Sequence, residues 1–120
     1  LYIYLKYDSS LTSPKIIKME ILYFLDVRKF PCLYSFDKHP KSNTSDYTII
    51  RDDLCCEYCY MGAIEDLFEI EGIEKVESNF YEDYLHKKYD EREKIKINIK
   101  YNPNFISTEE MKQIELKLNI

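Results

Sequence analysis

The sequence predicts a mixed α+β fold, in which an antiparallel sheet carries two helices on one face. The clearest strand is residues 95–101, where apolar and polar side chains alternate strictly. A helix follows, because Ser107 and Glu110 form a capping box and Met111 and Ile114 begin an apolar stripe at helical spacing. The chain also has only two glycines in 120 residues, which argues against a many-turned sandwich or barrel.

The preceding residues supply the first half of the same domain. Residues 47–50 are predicted to form a short strand, and residues 58–71 a helix with apolar side chains on one face and acidic side chains on the other. Gly72 ends this helix as a left-handed cap. Residues 73–85 alternate again and are predicted to be a strand, and residues 87–93 form a solvated hairpin turn.

The order strand, helix, strand, strand, helix is that of a ferredoxin-like βαββαβ open sandwich with only its last strand missing. We assign residues 47–120 to this domain. Residues 1–31 repeat the pattern of its second half without a gap, with Ser13 aligned to Ser107. They are interpreted as the back half of a preceding copy, although any strand–loop–helix unit has a similar pattern. Residues 32–46 are polar and aperiodic, which predicts a linker.

Charge and composition argue against several classes of function. The net charge is −5 with acidic and basic residues interleaved, which disfavours nucleic acid or an anionic membrane surface as the partner. No apolar run approaches the ~20 residues of a membrane helix, but the missing initiator Met leads us to expect a piece of a longer protein or a processed product. No nucleophile–base pair, phosphate loop or acid–base dyad is present, so we expect no catalytic site in this chain.

Three of the four cysteines are crowded together at the start of the first predicted helix of the domain. Cys56 and Cys59 are separated by two residues, so both sulfurs can face one ion. A helix N-terminus stabilises thiolates, and soft thiolates favour Cu(I), with Zn(II) next. We predict Cys56 and Cys59 as metal ligands and Cys55 as a candidate third ligand. Such crowding is typical of a reducing compartment, so we expect a cytoplasmic location, either of a free protein or of the soluble part of a membrane protein.

Three features together resemble the heavy-metal-associated domain of copper chaperones and metal-pumping ATPases. They are the loop at residues 53–59 (Asp-Leu-Cys-Cys-Glu-Tyr-Cys), the Gly-Ile step at residues 72–73 and the Tyr-Asn-Pro break at residues 101–103. The likeness covers residues 47–120. It implies a ferredoxin-like fold, copper or zinc as cargo, and exchange of that metal with a donor or acceptor protein or a neighbouring copy. The hairpin at residues 81–94 is longer than the family pattern.

Acidic side chains flank the cysteines and are predicted to contact a basic face of the exchange partner, because complementary charge raises the encounter rate. These residues are Asp52, Asp53, Glu57, Glu65 and Asp66. Carboxylates at a helix start also complement the helix dipole, which explains the first three without any partner. Three other functions stay open: a zinc or cadmium domain that uses the third cysteine, a metal-free interaction module, and a dithiol oxidoreductase.

Overall fold

The computed structural model describes residues 4–24, 35–51 and 57–118 of the chain. This part has a four-stranded antiparallel sheet and four α-helices, which confirms the predicted α+β class. The strands are β1 (Ser35–Asp37), β2 (Ser45–Arg51), β3 (Ile73–Ser78) and β4 (Ile95–Tyr101). The helices are α1 (Pro14–Phe24), α2 (Glu57–Glu69), α3 (Phe80–Leu85) and α4 (Thr108–Lys117), with a 3-10 turn at Tyr89–Glu91.

The sheet has the order β1–β3–β4–β2, with every neighbouring pair antiparallel. Strand β4 is central, and it pairs Ile95 with Arg51 of β2 and Ile97 with Ser78 of β3. The last residues of β2 and β3 and the first residue of β4 therefore lie at one end of the sheet, which we call the Arg51 end. Tyr101 of β4 lies at the opposite end.

One face of the sheet carries the core. The alternating side chains of β4 at positions 95, 97, 99 and 101 are buried, and α2 and α4 bury their apolar side chains among them. Burying each such side chain contributes about 1.5–3 kcal/mol. The core members from the helices include Tyr60, Met61, Ile64, Leu67 and Met111.

Local signals that the sequence carries at element ends are confirmed. The Ser107 hydroxyl accepts a hydrogen bond from the Glu110 N–H at 3.1 Å, and the Glu110 carboxylate accepts one from the Ser107 N–H at 3.4 Å. Gly72 has the predicted left-handed conformation, with a φ of +95°, but α2 ends at Glu69 rather than at residue 71, and Gly72 lies in the turn that the Ile73 N–H closes on the Ile70 carbonyl at 3.1 Å. At the start of α1, the Ser13 hydroxyl accepts from the Ile16 N–H at 3.3 Å.

The predicted strand at residues 73–85 is wrong in its second half, because β3 ends at Ser78 and α3 follows. Asn79 is the physical reason. Its side-chain oxygen accepts a hydrogen bond from the Lys96 N–H at 2.8 Å, and its side-chain nitrogen donates to the Lys94 carbonyl at 3.0 Å. The Asn79 N–H also donates to the Lys96 carbonyl at 3.4 Å, so both the backbone and the side chain of Asn79 hold the end of β3 to β4, and the next residues turn into α3.

The predicted linker at residues 32–46 contains β1, so that prediction is also wrong. Phe36 of β1 is buried and its ring lies 5.2 Å from the ring of Phe68 on α2. Of the predicted half-copy at residues 1–31, the helix is present as α1, but residues 4–7 form no strand. Residues 1–3 and 25–34 lie outside the described part of the chain. None of the helices within the described ranges is long and apolar enough to cross a membrane.

Candidate functional site

The candidate metal site lies where β2 leads into α2. Strand β2 finishes at Arg51, and α2 opens at Glu57, with Cys59 as its third residue. The Cys59 side chain is exposed, whereas the two residues after it are buried. Residues 52–56 lie outside the described part of the chain, so the predicted positions of Asp52, Asp53, Cys55 and Cys56 stay predictions.

Cys59 is the predicted cysteine ligand that the structure describes, and its thiol is a donor that soft metals prefer. A thiol in the first turn of a helix lies near unpaired backbone N–H groups and the positive end of the helix dipole, both of which favour the thiolate. The Cys59 side chain is exposed, so it lies at the surface of the helix start. Among residues 4–24, 35–51 and 57–118, no group of three or more His, Cys, Asp or Glu side chains is placed to hold a metal ion.

Helix α2 is fixed beneath the site by its buried face. Met61, Ile64 and Leu67 are each at most 2% exposed and pack in the core. Their spacing of three residues is the helical repeat that points one face at the sheet. The core contacts therefore fix the rotation of α2 about its own axis, and with it the side on which Cys59 lies. The predicted apolar face of α2 is confirmed.

Glu65 does not belong to an exposed acidic flank. Its side chain is 8% exposed, and its carboxylate accepts a hydrogen bond from the Lys18 ammonium of α1 at 2.7 Å. The same ammonium lies 3.5 Å from the centre of the Phe36 ring. The prediction that Glu65 faces a partner is wrong in its premise, because a carboxylate this deeply buried requires a charged neighbour within the chain.

Asp66 is exposed, as predicted, and it borders a groove between α2 and α4. The groove has a volume of about 260 Å³. Its lining is mainly apolar, with Lys117 as its other charged residue; the lining residues are Ala63, Asp66, Leu67, Ile70, Ile114, Lys117 and Leu118. For Glu57, the structure gives only its place as the first residue of α2.

An aromatic stack beside Cys59 was missed by the sequence analysis. The ring of Tyr60 stacks on that of Phe80 at 4.7 Å, and Phe80 stacks on Tyr84 at 5.6 Å. The guanidinium of Arg92 lies 5.3 Å from the Tyr84 ring and closes the stack. The spacing of Phe80 and Tyr84 by four residues was the signal that could have predicted both α3 and the stack.

Burial is the main influence on the pKa of the Tyr60 hydroxyl. The side chain is fully buried, which raises the pKa of its hydroxyl, although the hydrogen bond with Ser78 works in the opposite direction. The Tyr60 and Ser78 hydroxyl oxygens are 2.6 Å apart. Tyr60 therefore stays neutral, and it links the first turn of α2 to the last residue of β3.

An ion pair stabilises α3 itself. The Lys87 ammonium lies 2.5 Å from the Asp83 carboxylate, which is 6% exposed. This hydrogen bond is the largest influence that lowers the pKa of Asp83, and the Asn79 side chain lowers it further. Asp83 is therefore held as a carboxylate within the connection between β3 and β4.

Comparison with known proteins gives no relative. No family model matches the chain, no curated protein matches it, and no solved structure matches it. Proposals about its function therefore rest on the residues and geometry of the chain itself.

Proposed function

We propose that this chain binds a soft metal ion, most readily Cu(I), through the thiolates of Cys56 and Cys59, and passes the ion to a partner protein. The observation that carries the proposal is the exposed Cys59 in the first turn of α2, three residues after Cys56. A helix start favours thiolates, and thiolates favour Cu(I). The ion is cargo, and we assign no catalytic step to this chain.

The arrangement of strands supports a ferredoxin-like domain over residues 47–120. Helix α2 connects β2 to β3, and β4 lies between these two strands. Such a split βαβ unit, followed by a second helix, is the first five elements of a βαββαβ sandwich. Strand β1 and α3 are additions to that plan. Helix α1 is proposed as the second helix of a preceding partial copy.

Two ligands suit Cu(I) and make transfer easy. A partner thiolate can add to a two-coordinate ion before one of the original sulfurs leaves, so the ion need not pass through water. The alternative cargo is Zn(II), which takes four ligands. It would require Cys55 and further donors from a carboxylate, water or a partner. Both versions need reduced thiols, which places the activity in a reducing compartment such as the cytoplasm.

A competitive titration tests the proposal. The reduced chain is titrated with Cu(I) against a colorimetric Cu(I) chelator, and one ion per chain is expected. Cys56→Ser and Cys59→Ser should each lose affinity by orders of magnitude, because each removes one of two ligands. Cys32→Ser is the matched control, and its affinity should equal that of the wild type. Undiminished affinity in either of the first two variants would sink the assignment.

A parallel titration separates the two metals. If Zn(II) is the cargo, Cys55→Ser should lower the Zn(II) affinity as much as Cys56→Ser does. If Cu(I) is the cargo, Cys55→Ser should leave the Cu(I) affinity almost unchanged. A metal-free interaction module would take up neither ion at micromolar concentration.

The partner is proposed to present a basic face to the acidic flank of the site. With Glu65 engaged by Lys18, this flank consists of Asp52, Asp53, Glu57 and Asp66. Salt screens such charges over about 8 Å at physiological ionic strength, so transfer from a basic carrier should slow steeply as salt is added.

Neutralising the first three carboxylates as Asp52→Asn, Asp53→Asn and Glu57→Gln should slow the transfer and leave the Cu(I) affinity nearly constant. A transfer rate that does not depend on salt would refute the partner assignment, as would a variant that loses affinity but not rate.

A further inference from the structure

Strand β2 forms one edge of the sheet. Among the strands that the structure describes, β2 is the last in the order β1–β3–β4–β2 and pairs with β4 alone. The opposite edge strand, β1, has three residues, whereas β2 has seven. We propose that the outer edge of β2 pairs with β2 of a second copy of this chain, so that two sheets join antiparallel about a two-fold axis. This surface is separate from the proposed metal site and does not depend on it.

The direction of the backbone groups in β4 follows from the contacts of Lys96. Its N–H donates to the Asn79 side-chain oxygen at 2.8 Å, and its carbonyl accepts from the Asn79 N–H at 3.4 Å. Both groups of Lys96 therefore face the end of β3. In an antiparallel strand the two backbone groups of a residue point to the same side, and that side alternates along the strand. The backbone groups that face β2 are therefore those of residues 95, 97, 99 and 101.

The register between β4 and β2 then gives the outward groups of β2. The four β4 residues that face β2 lie opposite residues 51, 49, 47 and 45. Those four residues direct their N–H and C=O groups at β4. The residues between them direct theirs out of the sheet, so the edge presents three N–H donors and three C=O acceptors, on Asp46, Thr48 and Ile50.

The polar side chains beside these groups are directed back to their own sheet. The Asp46 carboxylate accepts from the Lys100 ammonium at 3.0 Å, and the Thr48 hydroxyl donates to the Asn98 side-chain oxygen at 3.0 Å. The pairing of β2 with β4 has no register shift over its seven residues, and residues 45–51 contain no Pro or Lys. Bulges, Pro and Lys are devices by which edge strands avoid pairing. This edge is therefore open to another strand.

A second copy fits the edge because β2 is self-complementary. One antiparallel register uses all three outward residues: Thr48 lies opposite Thr48 of the second copy, and Asp46 lies opposite Ile50 of the second copy. Each of these pairs exchanges two backbone hydrogen bonds. On the core face, the same register places Tyr47 opposite Ile49 of the second copy. Aromatic and β-branched side chains that face each other stabilise a sheet, and no like charges are opposed.

The oligomeric state of the whole chain tests the pairing. Reductant and a metal chelator are present throughout, so that neither a disulfide nor a bridging ion can join two copies. Sedimentation equilibrium from micromolar to millimolar concentration should show a monomer–dimer equilibrium. A chain that stays monomeric over this range would overturn the inference, and a strand of another protein would then be the occupant of the edge.

Amide hydrogen exchange followed by NMR locates the interface. Exchange at Asp46, Thr48 and Ile50 should slow as the concentration rises, because these N–H groups enter the new ladder. Exchange at Tyr47 and Ile49 should change little, because their N–H groups already face β4. A dimer in which the three outward amides exchange as fast as in the monomer uses a different surface and overturns the inference.

Thr48→Pro removes the central donor of the proposed interface. The N–H of Thr48 faces out of the sheet, and proline is tolerated in an edge strand at such a position. Both copies lose this N–H, so the dimer Kd should rise about ten- to a hundredfold, the effect of two lost hydrogen bonds. Thr48→Ala is the matched control, because it loses the side chain and keeps the N–H, and its Kd should stay near the wild-type value. An equal rise in both variants would overturn the inference.

A second pair of variants tests the register without proline. Ile50 is 53% exposed, so a charged side chain is accommodated there. In the proposed register it faces Asp46 of the second copy, so Ile50→Glu opposes two carboxylates and should weaken the dimer, whereas Ile50→Lys should not. Equal weakening by both variants, the result of a charge that merely blocks an edge, would overturn the inference. A dimer that binds no Cu(I) would refute the metal assignment alone, and a monomer that binds Cu(I) would refute the pairing alone.

Discussion

Replacing Gly72 with alanine should destabilise the domain by several kcal/mol. The residue has a φ of +95°, and holding an L-residue in a left-handed conformation costs about 1–2 kcal/mol. A Cβ at this position would lie 2.8 Å from the Phe105 Cβ and 3.0 Å from two side-chain carbons of Ile106. Overpacking of this kind costs about 1–3 kcal/mol. The sum, about 2–5 kcal/mol, is a large part of the 5–15 kcal/mol that stabilises a typical domain.

Gly62 is the natural control, since it is the only other glycine and lies inside α2. Alanine is favoured over glycine in a helix interior, so Gly62→Ala should raise the free energy of unfolding by up to about 1 kcal/mol. Urea unfolding followed by tyrosine fluorescence measures both variants. A loss below about 1 kcal/mol in Gly72→Ala, which is an average effect for a point mutation, would refute the reasoning about its conformation and its neighbours.

Three further variants test individual contacts by urea unfolding. Lys18→Met leaves the Glu65 carboxylate buried without its ammonium and should cost about 1–3 kcal/mol, whereas changing both residues to Met should recover most of it. Asp83 has a lowered pKa, so its stabilisation is present above its usual pKa of 3.8 and is lost as the pH falls through the lowered value. Asp83→Asn should therefore be less stable than the wild type at neutral pH and approach it below pH 4; a constant difference would contradict this. The hydrogen bond to Glu115 is the main cause that raises the pKa of Tyr47 to about 12. The stabilisation by this hydrogen bond is complete below pH 10 and is lost towards pH 12. The free energy of unfolding of Tyr47→Phe should therefore fall less than that of the wild type over this pH range. An equal fall in both proteins would exclude the contact.

The elements that the sequence predicts correctly are those with local causes. Strand β4 has strict alternation over its whole length, and α4 carries both partners of its capping box within four residues. Gly72 follows the end of α2, and its φ of +95° is the backbone conformation that a glycine at this point of the sequence predicts. Such signals can be found without knowledge of the partner elements.

The elements that the sequence does not predict depend on distant contacts. Strand β1 has only three residues, and it forms by antiparallel pairing with the edge of β3. Residues 80–85 satisfy a strand period and a helix period equally well, and the side chain of Asn79 decides between them through its hydrogen bonds to the entry of β4. The four-residue spacing of Phe80 and Tyr84 is a local signal for α3, but the partners of Asn79 lie 15 and 17 residues further along the chain.

The candidate site likewise has one feature that follows from local sequence and one that depends on a distant contact. The exposure of Cys59 follows from the helical repeat of α2, because the apolar residues fix which side of the helix faces the core. The burial of Glu65 follows from Lys18, which is 47 residues away along the chain. An acidic residue on a predicted polar face therefore cannot be assigned to a partner until the neighbouring elements are known.

The proposed thiolate site is tested most directly by X-ray absorption at the copper edge on the chain loaded with one equivalent of Cu(I). Binding through Cys56 and Cys59 predicts a first shell of two sulfur atoms, which is unchanged in Cys55→Ser and loses sulfur in Cys59→Ser. A shell of nitrogen or oxygen donors in the wild type, or a sulfur shell that persists unaltered in Cys59→Ser, would contradict the assignment.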